Sequence, residues 1–439
     1  MGLAEAVLLL PLLAFVLGAV TAGSLLAQAR DTSVKVVVTL DRPDWRYHVG
    51  DSARFRIELR HSGALPADSR IIVQLGHERM PQLRTDSLRS STGGVTVKAT
   101  LAEPGFLRAT VTATVNGAAY TGMATAGFDP QRIHDWAQMP ADFERFWRDA
   151  IDSARKVPLA PVMTRLPERS TPEVDVYHVS FQNHRAGSRI YGMLSMPSKP
   201  GKYPAILSVP GAGVRPYFPN VATARKGVIY LSIGIHGIPV DRDSLLYNEL
   251  RATALGKYWT YNLDDRDAYY YKRVFVGVVK AGDFLLSLPQ ADTARYAVEG
   301  GSQGGGLAIV AGVLDPRVKA IAVTHPALGD HFALLHGQPS GWPFFLADMI
   351  GMPAKKEKMA TLPYYDVVNF ARLLKIPGIY AWGFNDNTVP PTSAFAVYNA
   401  IPTSKQLIIV PEMGHTRAPV QAERMDAWLL ERLRVVGGR

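Results

Sequence analysis

The sequence predicts an α/β fold built on a mostly parallel central sheet and preceded by an all-β region. Three observations carry this. After residue 129, short β-like runs alternate with helix-like stretches; before it, apolar residues recur with period two around a hairpin turn; and a glycine-flanked serine stands between a strand and a helix. With 439 residues, 47% of them hydrophobic and 20% charged, the chain is long enough for two folded units.

The first 29 residues differ from the rest. Ala6 to Val20 is almost wholly apolar and Ala27-Gln28-Ala29 offers a small-x-small cleavage pattern, so residues 1–29 are expected to be a signal peptide. No Lys or Arg precedes the apolar run and Glu5 stands there instead, so an uncleaved N-terminal anchor is the alternative. Either places the body of the protein outside the cytoplasm, periplasmic or extracellular. No later stretch is long and apolar enough to be read as a membrane span.

Residues 30–128 read as an immunoglobulin-like β-sandwich. Phe55, Ile57 and Leu59 alternate with Arg54, Arg56, Glu58 and Arg60. Further on, Ala109, Val111 and Ala113 are opposed by Arg108, Thr110, Thr112 and Thr114, before Asn116-Gly117 turns the chain. Residues 129–439 form the expected α/β domain. It opens on a helix over Pro140 to Arg155 whose Phe143, Phe146, Trp147, Ala150 and Ile151 share one face. Expected strands follow at Val174 to Phe181, Arg189 to Met196, Ala205 to Val209, Val228 to Ile233, Tyr296 to Glu299, Ala320 to Thr324, Gly378 to Trp382 and Gln406 to Val410.

Composition narrows the chemistry. The absence of cysteine excludes disulfides, thiolate metal sites and a cysteine nucleophile. The net charge of +10 is dispersed, without the Lys/Arg block or aromatic interleaving of a nucleic-acid surface. It reads as a solvated basic surface, with attraction to acidic polysaccharide as a second possibility.

Gly300-Gly301-Ser302-Gln303-Gly304 follows a β run and precedes the apolar stretch Leu307 to Leu314, the context of a nucleophile elbow and hence of an α/β-hydrolase. The glycines leave room for a tight turn that projects the Ser302 hydroxyl, and the N–H of Gln303 at the helix start is the natural first donor to an oxyanion. A glycine-rich phosphate-binding turn is the alternative, but no Lys follows as a P-loop requires. A serine needs a histidine base held by a carboxylate, in the chain order Ser, acid, His. His415 lies between the last expected strand and the last helix. Asp386 follows the strand Gly378 to Trp382, whereas Asp366 comes too early and Glu412 too close to His415. His325, His331 and His336 read as structural or pocket residues, and no metal site is picked out.

Together with Tyr364 to Ala371, Asp386 to Ser393 and Met139 to Trp147, these motifs resemble the acetyl xylan esterase and cephalosporin-C deacetylase family of carbohydrate esterases, from about Met139 to the final helix. The resemblance implies a Ser302, Asp386, His415 triad, no cofactor, and an acylated carbohydrate or other small ester as partner. It implies a second oxyanion donor at the backbone of Ala212, where the family usually has a tyrosine. Ile235-His236-Gly237-Ile238-Pro239 replaces the family's Arg-Gly-Gln element and Thr416 follows His415 in place of a Glu. His236 and Trp342 are the expected substrate-binding residues. The family forms ring-shaped hexamers; for this chain an oligomer is possible but no order is assigned. Tyr258-Trp259 and Tyr269-Tyr270-Tyr271 are candidates either for stacking on sugar rings or for core packing. The expected function is a serine carboxylesterase that deacetylates acetylated carbohydrate, such as xylan, through an acyl-enzyme. Alternatives are a serine peptidase or broad ester hydrolase on the same residues, and a carbohydrate-binding protein with an inactive hydrolase domain.

Overall fold

The computed structural model describes residues 32–62, 69–91, 93–347 and 356–435, so the expected signal segment lies outside the described residues. The N-terminal region is all β: β1 (Lys35–Leu40), β2 (Arg46–Tyr47), β3 (Ala53–Arg60), β4 (Arg70–Gly76), β5 (Gln82–Arg89), β6 (Val95–Ala99), β7 (Gly105–Val115) and β8 (Ala118–Phe128). They make two sheets, ordered β1-β3-β6 and β2-β8-β7-β4-β5. The alternation on β3 buries Ala53, Phe55 and Ile57 while Arg54 and Arg56 face water. Asn116 and Gly117 both have positive φ (49° and 78°) and Val115 pairs with Ala118, giving the two-residue hairpin that Asn-Gly favours. The polar face of β7 is not wholly solvated. Arg108 is not on a solvated face but 6% exposed, because the surface it points from is covered by the α/β region.

The rest of the chain opens with α1 (Phe143–Arg155), then β9 (Val162–Arg165), β10 (Val174–Gln182), β11 (Arg189–Pro197), β12 (Tyr203–Val209), α2 (Val221–Arg225) and β13 (Ile229–Gly234). It continues through α3 (Ser244–Ala252), α4 (Tyr270–Ser287), β14 (Ala291–Gly301), α5 (Gln303–Leu314) and β15 (Ala320–Thr324). It closes with α6 (Lys356–Tyr365), α7 (Val367–Leu373), β16 (Gly378–Trp382), α8 (Pro391–Asn399), β17 (Lys405–Ile409) and α9 (Pro419–Arg432). The sheet runs β17-β16-β15-β14-β12-β13-β11-β10-β9. From β17 to β13 every pairing is parallel, but β11, β10 and β9 add an antiparallel end, so the sheet is mixed rather than mostly parallel throughout. The reason is the short connection between Gln182 and Arg189, which are register partners: it turns the chain back on itself and is too short for a crossover helix.

Parallel strands with covered faces are apolar on both sides. Val298, Ile321 and Val323 join the large core beneath α4 and α5, whereas Ala297, Ala320, Ala322, Ile379 and Ala381 face a second core closed by Met425, Trp428 and Leu429 of α9. α1 buries Phe143, Phe146, Trp147 and Ile151, as its period predicts, and the Trp147 indole N–H donates to the Tyr364 carbonyl oxygen at 3.0 Å. No helix of the described residues is long and apolar enough to cross a membrane. Trp147→Ala removes a 1% exposed ring and should lower the unfolding free energy by about 3–5 kcal/mol, read from urea denaturation.

Candidate active site

Every parallel strand of the sheet ends towards one edge, and the expected site residues gather there. Ser302 sits between β14 and α5 with φ 60° and ψ −125°, a sparsely populated conformation for a residue with a side chain. The turn permits it because the residues two before and two after it, Gly300 and Gly304, have no side chain. A Cβ on Gly304 would come within 2.3 Å of the Val209 carbonyl oxygen, and one on Gly300 within 2.2 Å of that of Gly304. The backbone N–H of Ser302 donates to Thr324 O (3.0 Å), which ties the turn to β15.

The structure brings the three expected residues together. His415 Nε2 lies 3.0 Å from Ser302 Oγ and His415 Nδ1 lies 2.8 Å from Asp386 Oδ2. The other carboxylate oxygen of Asp386 accepts the N–H groups of Thr388 (2.7 Å) and Val389 (2.9 Å). Asp386 is fully buried while His415 is partly exposed, so the site opens on the imidazole side. The loops bearing acid and base are laced together: Phe384 N–H donates to Pro411 O (2.9 Å), Asn385 N–H to Met413 O (3.1 Å), and the Asn385 amide to Glu412 O (3.2 Å). Asp366 instead caps α7 and accepts the N–H groups of Asp330 and His331.

Gln303 follows the serine directly, and the loop that carries Ala212 passes close by. Gln303 is the first residue of α5, where helical N–H groups have no intrahelical acceptor. A Cβ on Gly211, next to Ala212, would lie 3.8 Å from the Ser302 Cβ. The Gln303 side chain is wholly buried: its Nε2 donates to Pro210 O (3.1 Å), and its Oε1 accepts the hydroxyls of Tyr258 and Tyr271, both at 2.6 Å. One amide thus joins the helix start to the loop after β12.

His236 is also placed behind that loop. Its Nε2 lies 3.1 Å from Gly213 O and its Nδ1 2.7 Å from the Tyr270 hydroxyl. Burial pushes its pKa down to about 4, so at neutral pH the ring is uncharged, with Nε2–H the donor to the carbonyl by inference from its partners. With 7% exposure and both nitrogens engaged, it supports the backbone next to Ala212, a different place from the substrate-facing one expected. Trp342 is half-buried and packs edge-on against Trp259 at 5.2 Å. Tyr258, Tyr269, Tyr270 and Tyr271 are core residues.

Two features were not foreseen. His325 packs against His415 with the rings tilted by 43° and centroids 4.2 Å apart, and its buried Nδ1 has no hydrogen-bond partner. His325, Asp386 and His415 offer ligand atoms within 4.8 Å of one another, but both His415 nitrogens already face Ser302 and Asp386. A cavity of about 1060 Å³, lined by Arg145, Arg266, Lys272, Arg273, Asp142 and Asp267 among others, lies elsewhere, since neither Ser302, Asp386 nor His415 lines it.

Over residues 131–432 the chain matches the family described as Acetyl xylan esterase (AXE1). Acetyl esterase Axe7A of Xylanibacter ruminicola is 34% identical over 400 residues, 89% of this chain and 89% of its own. An acetyl xylan esterase from a Paenibacillus species superposes with a TM-score of 0.61 and 26% identity, over 69% of this chain and 98% of its own. Acetyl Xylan Esterase 1 from a Thermoanaerobacterium species gives 0.60 and 22%, over 69% and 97%. Fold and matches together define an α/β-hydrolase that acts on carboxylic ester bonds. The chain belongs to the acetyl xylan esterase family.

Burial pushes the His325 pKa down to about 4, and the neighbouring His415 adds to this. A free imidazole titrates near about 6.5, so between those values the unfolded chain binds the proton more readily and acid favours unfolding. Between pH 7 and 4.5, wild type should therefore lose more stability than His325→Gln, by roughly 2 kcal/mol, as followed by chemical denaturation at each pH.

Proposed function

We propose that this protein is a serine acetylesterase acting on acetylated carbohydrate through Ser302, His415 and Asp386. The observation that carries this is the hydrogen-bonded line from Ser302 Oγ through both His415 nitrogens to Asp386, at 3.0 and 2.8 Å, on a turn that only glycines at 300 and 304 permit. A hydroxyl is a poor nucleophile until a base takes its proton. His415 Nε2 accepts the Ser302 proton as Oγ attacks the acetyl carbonyl, and Asp386 holds the ring with Nδ1–H towards itself and stabilises the imidazolium. The oxyanion is received by the backbone N–H groups of Gln303 and Ala212, each worth about 3 kcal/mol in the transition state. Collapse returns the proton to the departing sugar oxygen and leaves an acetyl-Ser302 ester. Water, deprotonated by His415, then releases acetate.

The edge-on pair Trp259 and Trp342 supplies half-buried indole surface for a sugar ring, with His236 fixing Gly213 behind the oxyanion loop. Acetylated xylan or xylo-oligosaccharide is the substrate class favoured by the family. We further divide the chain into a signal segment at 1–29, an immunoglobulin-like sandwich at 30–128 and a catalytic domain at 129–439, with export to the periplasm or exterior following from the apolar N-terminal run.

Ser302→Ala should lower p-nitrophenyl acetate hydrolysis at least about a thousandfold while the thermal midpoint stays near wild type; retained turnover rejects the assignment. Acetate release should be faster from acetylated xylan or acetylated sugars than from cephalosporin C or longer acyl esters, and absent from amide substrates; amide cleavage at a comparable rate would identify a peptidase instead.

A further inference from the structure

The loop that presents Asp386 leans on the N-terminal β-region, and the contact is polar, buried and specific. Arg108 Nη2 donates to the carbonyl oxygens of Phe384 (2.9 Å) and Asp386 itself (3.1 Å), and Nη1 donates to the side-chain oxygen of Asn387. Arg108 Nε donates to Thr125 Oγ1 (2.8 Å), whose hydroxyl donates to the Asn385 side-chain oxygen (2.9 Å). Arg108 and Thr125 are register partners on β7 and β8, so two adjacent strands hold four consecutive residues, Phe384 to Asn387, through one guanidinium and one hydroxyl.

Neighbouring contacts extend this grip. Phe106, two residues along β7 and so on the same face, meets Phe384 edge-on with centroids 4.9 Å apart. Glu78, wholly buried after β4, accepts the N–H (3.0 Å) and hydroxyl (2.6 Å) of Thr392 at the start of α8, directly beyond the loop. Burial weighs against the guanidinium's charge and the carboxylates of Glu78 and Asp386 offset it. A planar fork whose donors reach two carbonyls and an amide suits arginine and is not reproduced by lysine.

We propose that Arg108 is a positioning residue for Asp386, and that the N-terminal β-region is therefore part of the esterase's working apparatus rather than an appended module. The proposal rests on the assignment of Asp386, His415 and Ser302 above. Arg108 touches no reacting atom. It fixes the carbonyl of Asp386 from one side while the carboxylate turns to His415 on the other, and a displacement of about 1 Å in such a unit costs on the order of a hundredfold in rate.

The test uses the full chain, p-nitrophenyl acetate and temperatures at which circular dichroism shows each variant folded. Arg108→Met should lower kcat about 10–100-fold with KM changed less than about twofold, and Arg108→Lys should recover only part of the loss. Thr125→Val, a milder cut in the same network, should lower kcat a few-fold and serves if Arg108→Met does not fold. Val73→Ala, which opens the core of the same β-region without meeting the loop, should keep kcat near wild type. Unchanged kcat in Arg108→Met, or in Thr125→Val where only that variant folds, overturns the proposal. So does an equal fall in Val73→Ala, which would make the effect one of stability. If Ser302→Ala is inactive in the same assays, such a result removes only the role of Arg108; if Ser302→Ala is active, the reading of the site itself fails.

Discussion

The close approach of the α5 N-terminus to the end of β12 is the constraint on which the site depends. Gly304 passes so near the Val209 carbonyl that no Cβ fits between them, and this lets a helix start immediately after Ser302. Positive φ at Ser302, free N–H groups at the helix start and a hydroxyl standing clear of the sheet all follow from that one contact. Gln303 then makes the approach rigid. Its amide bonds to Pro210 on one side and two tyrosine hydroxyls on the other, so the helix start after Ser302 and the loop after β12 are held to one another. Such rigidity suits the oxyanion donors proposed at Gln303 and Ala212, which then need no reorganisation at the moment of reaction.

Around that constraint the sheet acts as a frame. β14, β16 and β17 end in the same direction and deliver serine, acid and histidine from three separate loops. Along the strands, alternate residues feed the cores on either side. The loops are exact only because they are tied to one another: Gly383 lies too close to Met413 to carry a side chain, and Gln421 of α9 donates to the carbonyls of Trp382 and Ile408 at the ends of β16 and β17.

Much of this was legible in the sequence, because the signals were local. The β runs from Val174 onward lie within a few residues of the observed strands, Asn116-Gly117 makes its hairpin, and Ser302, Asp386 and His415 meet at hydrogen-bonding distance. What was not legible depends on which surface covers which. Period-two alternation assigns Arg108 to the face opposite Ala109 but does not say whether water or another sheet lies there. The same gap explains His236, whose sequence position beside the site could not distinguish a residue facing substrate from one bracing the loop behind it. The tyrosines around 258 and 269–271 were open to two readings, and burial decides for the core. The antiparallel end of the sheet was implicit in the short connection from Gln182 to Arg189, a loop-length signal outweighed by the βαβ rhythm of the remainder.

The Arg108 contact also orders events in time. Its bonds to the acid loop span 278 residues, and chains grow and fold from the N-terminus. The β-region is therefore made long before its partner loop exists, and the Arg108 guanidinium has its Thr125 partner but not its loop acceptors until nearly the whole chain has been synthesised. Closing that contact is among the most non-local steps in the molecule. The positioning proposed for Arg108 makes full turnover depend on two segments 278 residues apart having met.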